Sequence, residues 1–282
     1  MQTLNIEQIR EFYNHSWAQN YGDTSAKETP EFWDSRAADF AAKAHSTESR
    51  QESLDFLQRF YWNSDETVLD VAAGPGTFAI PLARLVKEVT VTDFSASMLE
   101  QLQERAAAER IANLRQIHGR WLDIDPPGVF DTVLCLNSLG VISTDASHQP
   151  QLALALKRLR DACRRRLIML IPHADSPLNE DMRRILGLTE LSLERMRVAV
   201  LYFAMVDCGM LPDLHIIKRP FRWIFASVEE ARETLLTKSG VKDGARFKDS
   251  FDAYLKTVVQ PDANGRLSLS YQVSQALYVW NR

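Results

Sequence analysis

The sequence predicts an α/β fold in which a mostly parallel sheet carries helices on both faces, and three observations predict it. Short β-branched and apolar runs alternate with helical periods from Thr67 to Ala174, as βαβ units require. A glycine turn, Gly74-Pro75-Gly76, separates the first run from the first helical period. An acid, Asp93, closes the second run, about 20 residues after that turn, where a carboxylate can accept from two sugar hydroxyls.

Each element follows from its residues. Val68, Leu69 and Val71 surround Asp70 in a short apolar run, the pattern of a buried parallel strand. The glycines then allow positive φ and a close approach of ligand to backbone. Thr77 to Val86 spaces Phe78, Ile80, Leu82 and Leu85 as a helix does, and its first turn offers free N–H groups toward the glycine turn. Val89 and Val91, with flanking threonines, form the second strand. RQIHG, DTVLCL and LIMLI supply the third, fourth and fifth, and Pro172 closes the fifth.

Outside this core, the chain to about Asn63 reads as helical. Ile6, Ile9, Phe12 and Tyr13 share one helical face, a second helix begins near Pro30 with FWDSRAADFAAKA, and SRQESLDFLQRF forms a third. Ser176 to Leu211 is helical and rich in Leu and Met. Ordinary packing explains it, and so does a lid, because an insertion after the fifth strand lies near the carboxyl edge where ligands bind. LHIIKRPFRWIFAS, from Leu214, reads as a sixth strand with its turn, VEEARETLLTKSG as an amphipathic helix stopping at Gly240, and SLSYQVSQALYVW as a last, alternating strand. The expected organisation is an N-terminal helical cap over 1–64 and a core over 65–282, with a helical insertion at about 176–211.

Composition bounds the function. The 282 residues are 45% hydrophobic, enough for a large core, and the net charge of −4 disfavours a nucleic-acid partner. No apolar run approaches the roughly 20 residues of a bilayer span, and the N-terminus lacks the basic start and apolar centre of a signal peptide. Cys135, Cys163 and Cys208 show no paired spacing, which points to reduced thiols in a cytoplasmic protein. Arg164-Arg165-Arg166 reads as a solvated helix end that suits the helix dipole. The six histidines show no metal-ligand spacing, and no metal is expected.

The dinucleotide fingerprint is incomplete, since positions 74–79 read G-P-G-T-F-A; alanine is a permitted third residue, so a nicotinamide dinucleotide is not excluded by this turn alone. The segment resembles more closely the first motif of class I S-adenosylmethionine-dependent methyltransferases, through Asp70, Ala72, Gly74, Gly76 and Thr77, with alanine at position 72 where glycine is common. DFSASML, from Asp93, resembles the second motif, HGRWLDID, from His118, the third, and FDTVLCLNSL, from Phe130, the fourth strand, whose end faces the methyl group. The resemblance covers Thr67 to roughly Ala174. It implies a Rossmann-like seven-stranded sheet whose last strand runs antiparallel beside the sixth. It also implies S-adenosylmethionine as cofactor and a methyl acceptor that the charge balance suggests is a small molecule.

The same resemblance implies the site. Asp93 is the ribose partner, Gly74 and Gly76 let the chain pass the cofactor, and Asp70 orients the glycine loop. Phe94 and Met98 pack on adenine, although helix-to-sheet packing explains them nearly as well. Trp121 and Asp123 bound the adenine, Asp123 by accepting from its amino group. Trp33 and Arg36, in WDSRAADF, resemble an N-terminal cover in which the guanidinium pairs with the cofactor carboxylate; a surface arginine on an amphipathic helix fits equally. Asn137 ends the fourth strand, as a cofactor contact, a holder of the acceptor's heteroatom or a turn residue. His173 follows the fifth strand as a proton acceptor or as a structural histidine. Tyr202, Phe203, Met205 and Met210 suit an apolar acceptor pocket. Methyl transfer needs alignment more than a special nucleophile, and no acid–base constellation stands out. A non-catalytic cofactor-binding partner protein, an aminopropyltransferase and a nicotinamide-dependent oxidoreductase are the competing readings. Oligomeric state stays open.

Overall fold

The computed structural model describes residues 5–21, 29–125, 128–174, 180–187, 193–239, 245–261 and 265–282. Helices α1 (Ile6–Tyr21), α2 (Pro30–Asp34), α3 (Ala37–Ala44) and α4 (Thr47–Leu57) precede the first strand. Then follow β1 (Thr67–Val71), α5 (Ala79–Leu82), β2 (Glu88–Asp93), α6 (Ala96–Ala108), β3 (Leu114–His118) and β4 (Phe130–Leu136). Next come α7 (Leu139–Ile142), α8 (Leu152–Asp161), β5 (Cys163–Ala174), α9 (Glu180–Ile185), α10 (Leu193–Asp207) and β6 (Asp213–Phe225). The chain ends with α11 (Val228–Ser239), α12 (Lys248–Val258), β7 (Gln260–Pro261) and β8 (Leu267–Asn281).

Two compact units emerge. The first comprises Met1–Ile171, Arg197–His215 and Leu277–Arg282, the second Pro172–Met196 and Ile216–Ala276. In the first, the strand order is β3-β2-β1-β4-β5, with β8 beside β5. The pairs β1–β2, β1–β4, β2–β3 and β4–β5 are all parallel. Val68, Leu69, Val133, Leu134, Leu167 and Ile168 are wholly buried, as strands covered on both faces must be. The second unit has its own core, in which Met182, Phe225, Leu235, Phe251, Leu255 and Leu269 meet. There β6 and β7 both pair with β8, and the Trp223 indole N–H donates to the Tyr271 hydroxyl (2.6 Å).

Several local expectations change. The predicted helix from Thr77 to Val86 shrinks to α5. Pro81 brings no N–H, and i→i+3 bonds from Leu85 N to Leu82 O (2.8 Å) and from Arg84 N to Pro81 O (3.3 Å) tighten the remainder into turns. The helix expected from Pro30 breaks at Ser35-Arg36, and the break leaves Asp34 accepting from Ser95 Oγ (2.6 Å) and Ser97 N (3.1 Å) at the start of α6. The arginine run opens β5 rather than ending a helix. Arg164 pairs with Asp131 (3.0 Å), while Arg166 pairs with Glu66 (3.3 Å) and lies 4.8 Å from the Trp62 ring centroid.

On α1 the buried side is Tyr13, Ser16 and Trp17, whereas Ile6 and Phe12 are exposed. Aromatics with a polar handle decide that face: Tyr13 donates to Asp207 Oδ2 and Trp17 Nε1 to Ser143 Oγ, both at 2.9 Å. One helix, α12, has no counterpart in the sequence reading. It buries only Phe251 and Leu255, too few apolar positions to announce a helix in a charged stretch. Cys135, Cys163 and Cys208 are free and buried. Among the described residues no helix is long and apolar enough to cross a membrane.

Two features at the end of β1 have measurable consequences. Ala72 has φ of +56°, a conformation that costs a residue with a Cβ about 1–2 kcal/mol. Ala72→Gly removes this strain, less the added freedom of glycine in the unfolded chain. Stability should rise by about 1 kcal/mol in a urea titration, and an unchanged or lower midpoint would contradict the assignment. Asp70 is buried, and burial with the neighbouring Asp93 charge pushes its carboxyl up to about 7. The folded chain then holds that proton more tightly than the unfolded chain, so Asp70 weakens the fold as pH rises from the ordinary carboxyl range to about 7. The effect is at most roughly 4 kcal/mol. Urea midpoints of the parent should fall between pH 5 and 8, and Asp70→Asn should flatten that fall; equal slopes would refute the protonation described.

Candidate functional site

The carboxyl ends of β1 and β2 are stitched together by backbone hydrogen bonds. Ala73 N donates to Thr92 O (3.1 Å), and Gly74 N donates to Asp93 Oδ2 (2.8 Å). The other oxygen, Asp93 Oδ1, accepts from Ser95 N (2.9 Å). Ser95 is wholly buried and caps α6, its Oγ accepting from Met98 N (3.1 Å). Burial raises the Asp93 carboxyl, and the N–H groups of Ser95, Gly74 and Phe94 oppose that rise. A carboxylate offers about four lone-pair positions, so these backbone donors leave acceptor capacity for a ligand hydroxyl.

The two glycines serve different ends. Gly76 has φ of +84°, and a Cβ there would lie 3.0 Å from Leu102 Cγ and 3.1 Å from Ile80 Cγ1, so packing against α6 demands glycine. Gly74 has φ of +57°, and the nearest group to a Cβ there would be the Phe40 ring at 3.9 Å. Phe40 meets Trp33 edge to face, with centroids 5.8 Å apart, so an aromatic pair from α2 and α3 lies beside the glycine turn. Trp33 is half-buried, and Arg36 is exposed with its guanidinium 4.4 Å from the Phe32 ring centroid. Thr77 is half-buried after the turn.

Between the loops that follow β1, β2, β3 and β4 lies a small cleft. Ala72, Asp93, Phe94 and Trp121 line it. Met98 is buried in the packing of α6. Asp123 is 57% exposed, with Oδ2 3.9 Å from Arg120 Nε, and Asn137 is exposed at the end of β4 with φ of +61°. The Asn137 N–H donates to Leu170 O (2.7 Å). The side chain of His173 lies outside the described residues. On α10, Met205 is buried, Tyr202 is half-buried and Phe203 is exposed, and Met210 is buried beyond the helix end.

The cleft also has walls that the motifs did not single out. Gly119, Arg120, Val141 and Ile142 line it. Gly119 has φ of +153°, and a Cβ would come within 2.4 Å of Ile124 Cγ2. Its signal was present in HGRWLDID, as a glycine directly after a strand. Val141 and Ile142 gave none, because their role depends on how α7 follows β4. His118 Nε2 lies 3.1 Å from Phe94 O and links the ends of β2 and β3.

Comparison with known proteins meets this same region. The Methyltransferase domain family matches residues 68–164, from β1 to the start of β5. An uncharacterized protein of Haemophilus influenzae is 33% identical over 128 residues, 45% of this chain and 47% of that protein. The 23S rRNA (uracil(1939)-C(5))-methyltransferase RlmD of Pseudomonas fluorescens is 36% identical over 95 residues, 27% of this chain and 21% of that protein. The chain thus spans less than half the length of either relative. The YcgJ protein of Bacillus subtilis shares the fold at 16% identity, with a TM-score of 0.51 over 82% of this chain and 98% of that one. The segment 68–164, which carries the parallel sheet, the glycine turn and the strand-end acid, thus matches the Methyltransferase domain family.

Proposed function

We propose that this chain transfers a methyl group from S-adenosylmethionine to a small-molecule acceptor in the cytoplasm. The observation that carries the reading is Asp93, a buried carboxylate at the end of β2 whose two oxygens already fix the glycine turn and the start of α6 while facing the cleft. The donor set fits a nucleoside: a carboxylate for a vicinal diol, and Phe94, Trp121 and Ile142 for the faces of a base. When bound, the cofactor supplies an electrophilic methyl group on a sulfonium and a neutral thioether leaving group.

The chain's own task is then alignment and exclusion of water. Asp93 accepts from the ribose hydroxyls, the Gly74 turn approaches the sugar, and buried Asp70 supports that turn. Trp33 and Phe40 cover the turn from the N-terminal side, and Arg36 is the cation for the cofactor's carboxylate. Phe94 and Met98 are the residues we assign to packing at the adenine. Asn137, in a strained backbone conformation at the end of β4, is the group we assign to the acceptor, and His173 to a proton. The net charge of −4 and the free buried cysteines support a small acceptor and a reducing compartment. The similarity to RlmD favours a second reading, in which the acceptor is RNA.

One experiment separates the readings. The full chain is incubated with methyl-labelled S-adenosylmethionine and either a metabolite extract or total RNA. Label in a small molecule is the expected result. Ribonuclease-sensitive label only would make the acceptor RNA, and cofactor binding without labelled product would make the chain a binding module. Asp93→Asn should weaken S-adenosylhomocysteine binding by about 1.5–3 kcal/mol in calorimetry, with its urea midpoint measured in parallel. Undiminished affinity in a folded variant would remove the ribose assignment.

A further inference from the structure

We propose that Arg158 is a positioning residue for the nucleoside: from α8 it holds the loop after β3 in the course that sets Gly119 and Trp121 as a wall of the cleft. The inference rests on the nucleoside-binding reading above and goes beyond it to the residue that prepares that wall. The loop turns sharply, since Asp123 N and Ile124 N both donate to Arg120 O (2.9 and 3.1 Å). Gly119 and Trp121 of this loop line the cleft. Half-buried Arg158 reaches the turn with both arms of its fork. Nη1 donates to Leu122 O, and Nη2 donates to Ile124 O (2.5 Å). Its guanidinium carbon lies 5.9 Å from the Trp121 ring centroid. One turn earlier on α8, Ala155 O accepts from the Trp121 indole N–H (3.5 Å).

Two routes lead from Arg158 to the wall. The first runs through Ile124, whose Cγ2 fills the space beside Gly119 where a Cβ would fall. A bond that fixes the Ile124 carbonyl therefore also fixes the side chain that packs against Gly119. The second runs through Trp121, which is 2% exposed and is met from α8 both at its ring and at its N–H. A charged donor bonds a carbonyl more strongly than a neutral one does. The guanidinium presents its donors as a rigid fork, whereas an ammonium presents them from a single atom, so two separate carbonyls of one turn call for arginine. A wall ordered before the ligand arrives has less freedom to lose on binding. Arg158 thus acts on the ligand only through the loop.

The test combines calorimetric titration with S-adenosylhomocysteine and amide hydrogen exchange read by mass spectrometry, on the full chain, on Arg158→Met and on Arg158→Lys. In Arg158→Met, exchange over 119–125 should rise while that of β1 and α6 stays as in the parent. The affinity should fall about tenfold or more. Arg158→Lys keeps the charge without the fork and should recover only part of the loss. Thermal unfolding without ligand checks that each variant is folded, and the lysine variant carries the test alone if the methionine variant does not fold. A brace that served only the fold would lower the unfolding temperature and leave the affinity of the folded chain as it is. Parental affinity in either folded variant therefore overturns the proposal. So does weaker binding with exchange over 119–125 unchanged, or with exchange raised throughout the chain. No binding by the parent overturns the nucleoside reading together with it.

Discussion

The Asp93 carboxylate holds two backbone N–H groups at once, one in the turn after β1 and one at the head of α6. Everything on the carboxyl edge is referred to that bridge. It fixes the distance between the first two strand ends, aims the α6 cap, and leaves a buried negative charge facing the cleft. A second buried acid, Asp70, lies in the neighbouring strand, where it pairs in register with Val91. Two carboxyls in one dry place resist simultaneous ionisation, so the conformation that builds the site also stores an electrostatic cost, relieved by protonation of Asp70.

The N-terminal helices extend this frame by polar handles on apolar bodies. Asp34 of α2 accepts from the Ser95 hydroxyl and the Ser97 N–H, adding a negative charge at the head of α6, where the helix dipole favours it. The Ser95 hydroxyl bond is the main reason the Asp34 carboxyl sits below its ordinary range. Trp17 of α1 donates to Ser143, the residue after α7. The preceding residue, Ile142, lines the cleft. The N-terminal helices are thus attached to α6 and to the end of α7, two of the elements around the cleft.

Much of the core was legible because its signals are local. Asp93 declares itself by spacing from Gly74, and the apolar runs of β1, β4 and β5 are short, β-branched and bounded by turns. Ala72 reads as a mild departure from a glycine, and the positive φ explains why glycine is common there. Arg120 and Ile142 were not legible as walls, since they meet only when the loops after β3 and β4 converge. Asp34 caps a helix some 60 residues away, a relation no local period encodes. The arginine run misled because charge next to a helix end resembles a dipole partner, whereas its members pair across strands with Asp131 and Glu66.

Gly119 carries a consequence for how such a site changes over time. A Cβ there would collide with Ile124 Cγ2, so glycine is the residue that fits this course of the loop. A chain that acquires a side chain at position 119 must first make room at position 124, so the two positions change together or not at all.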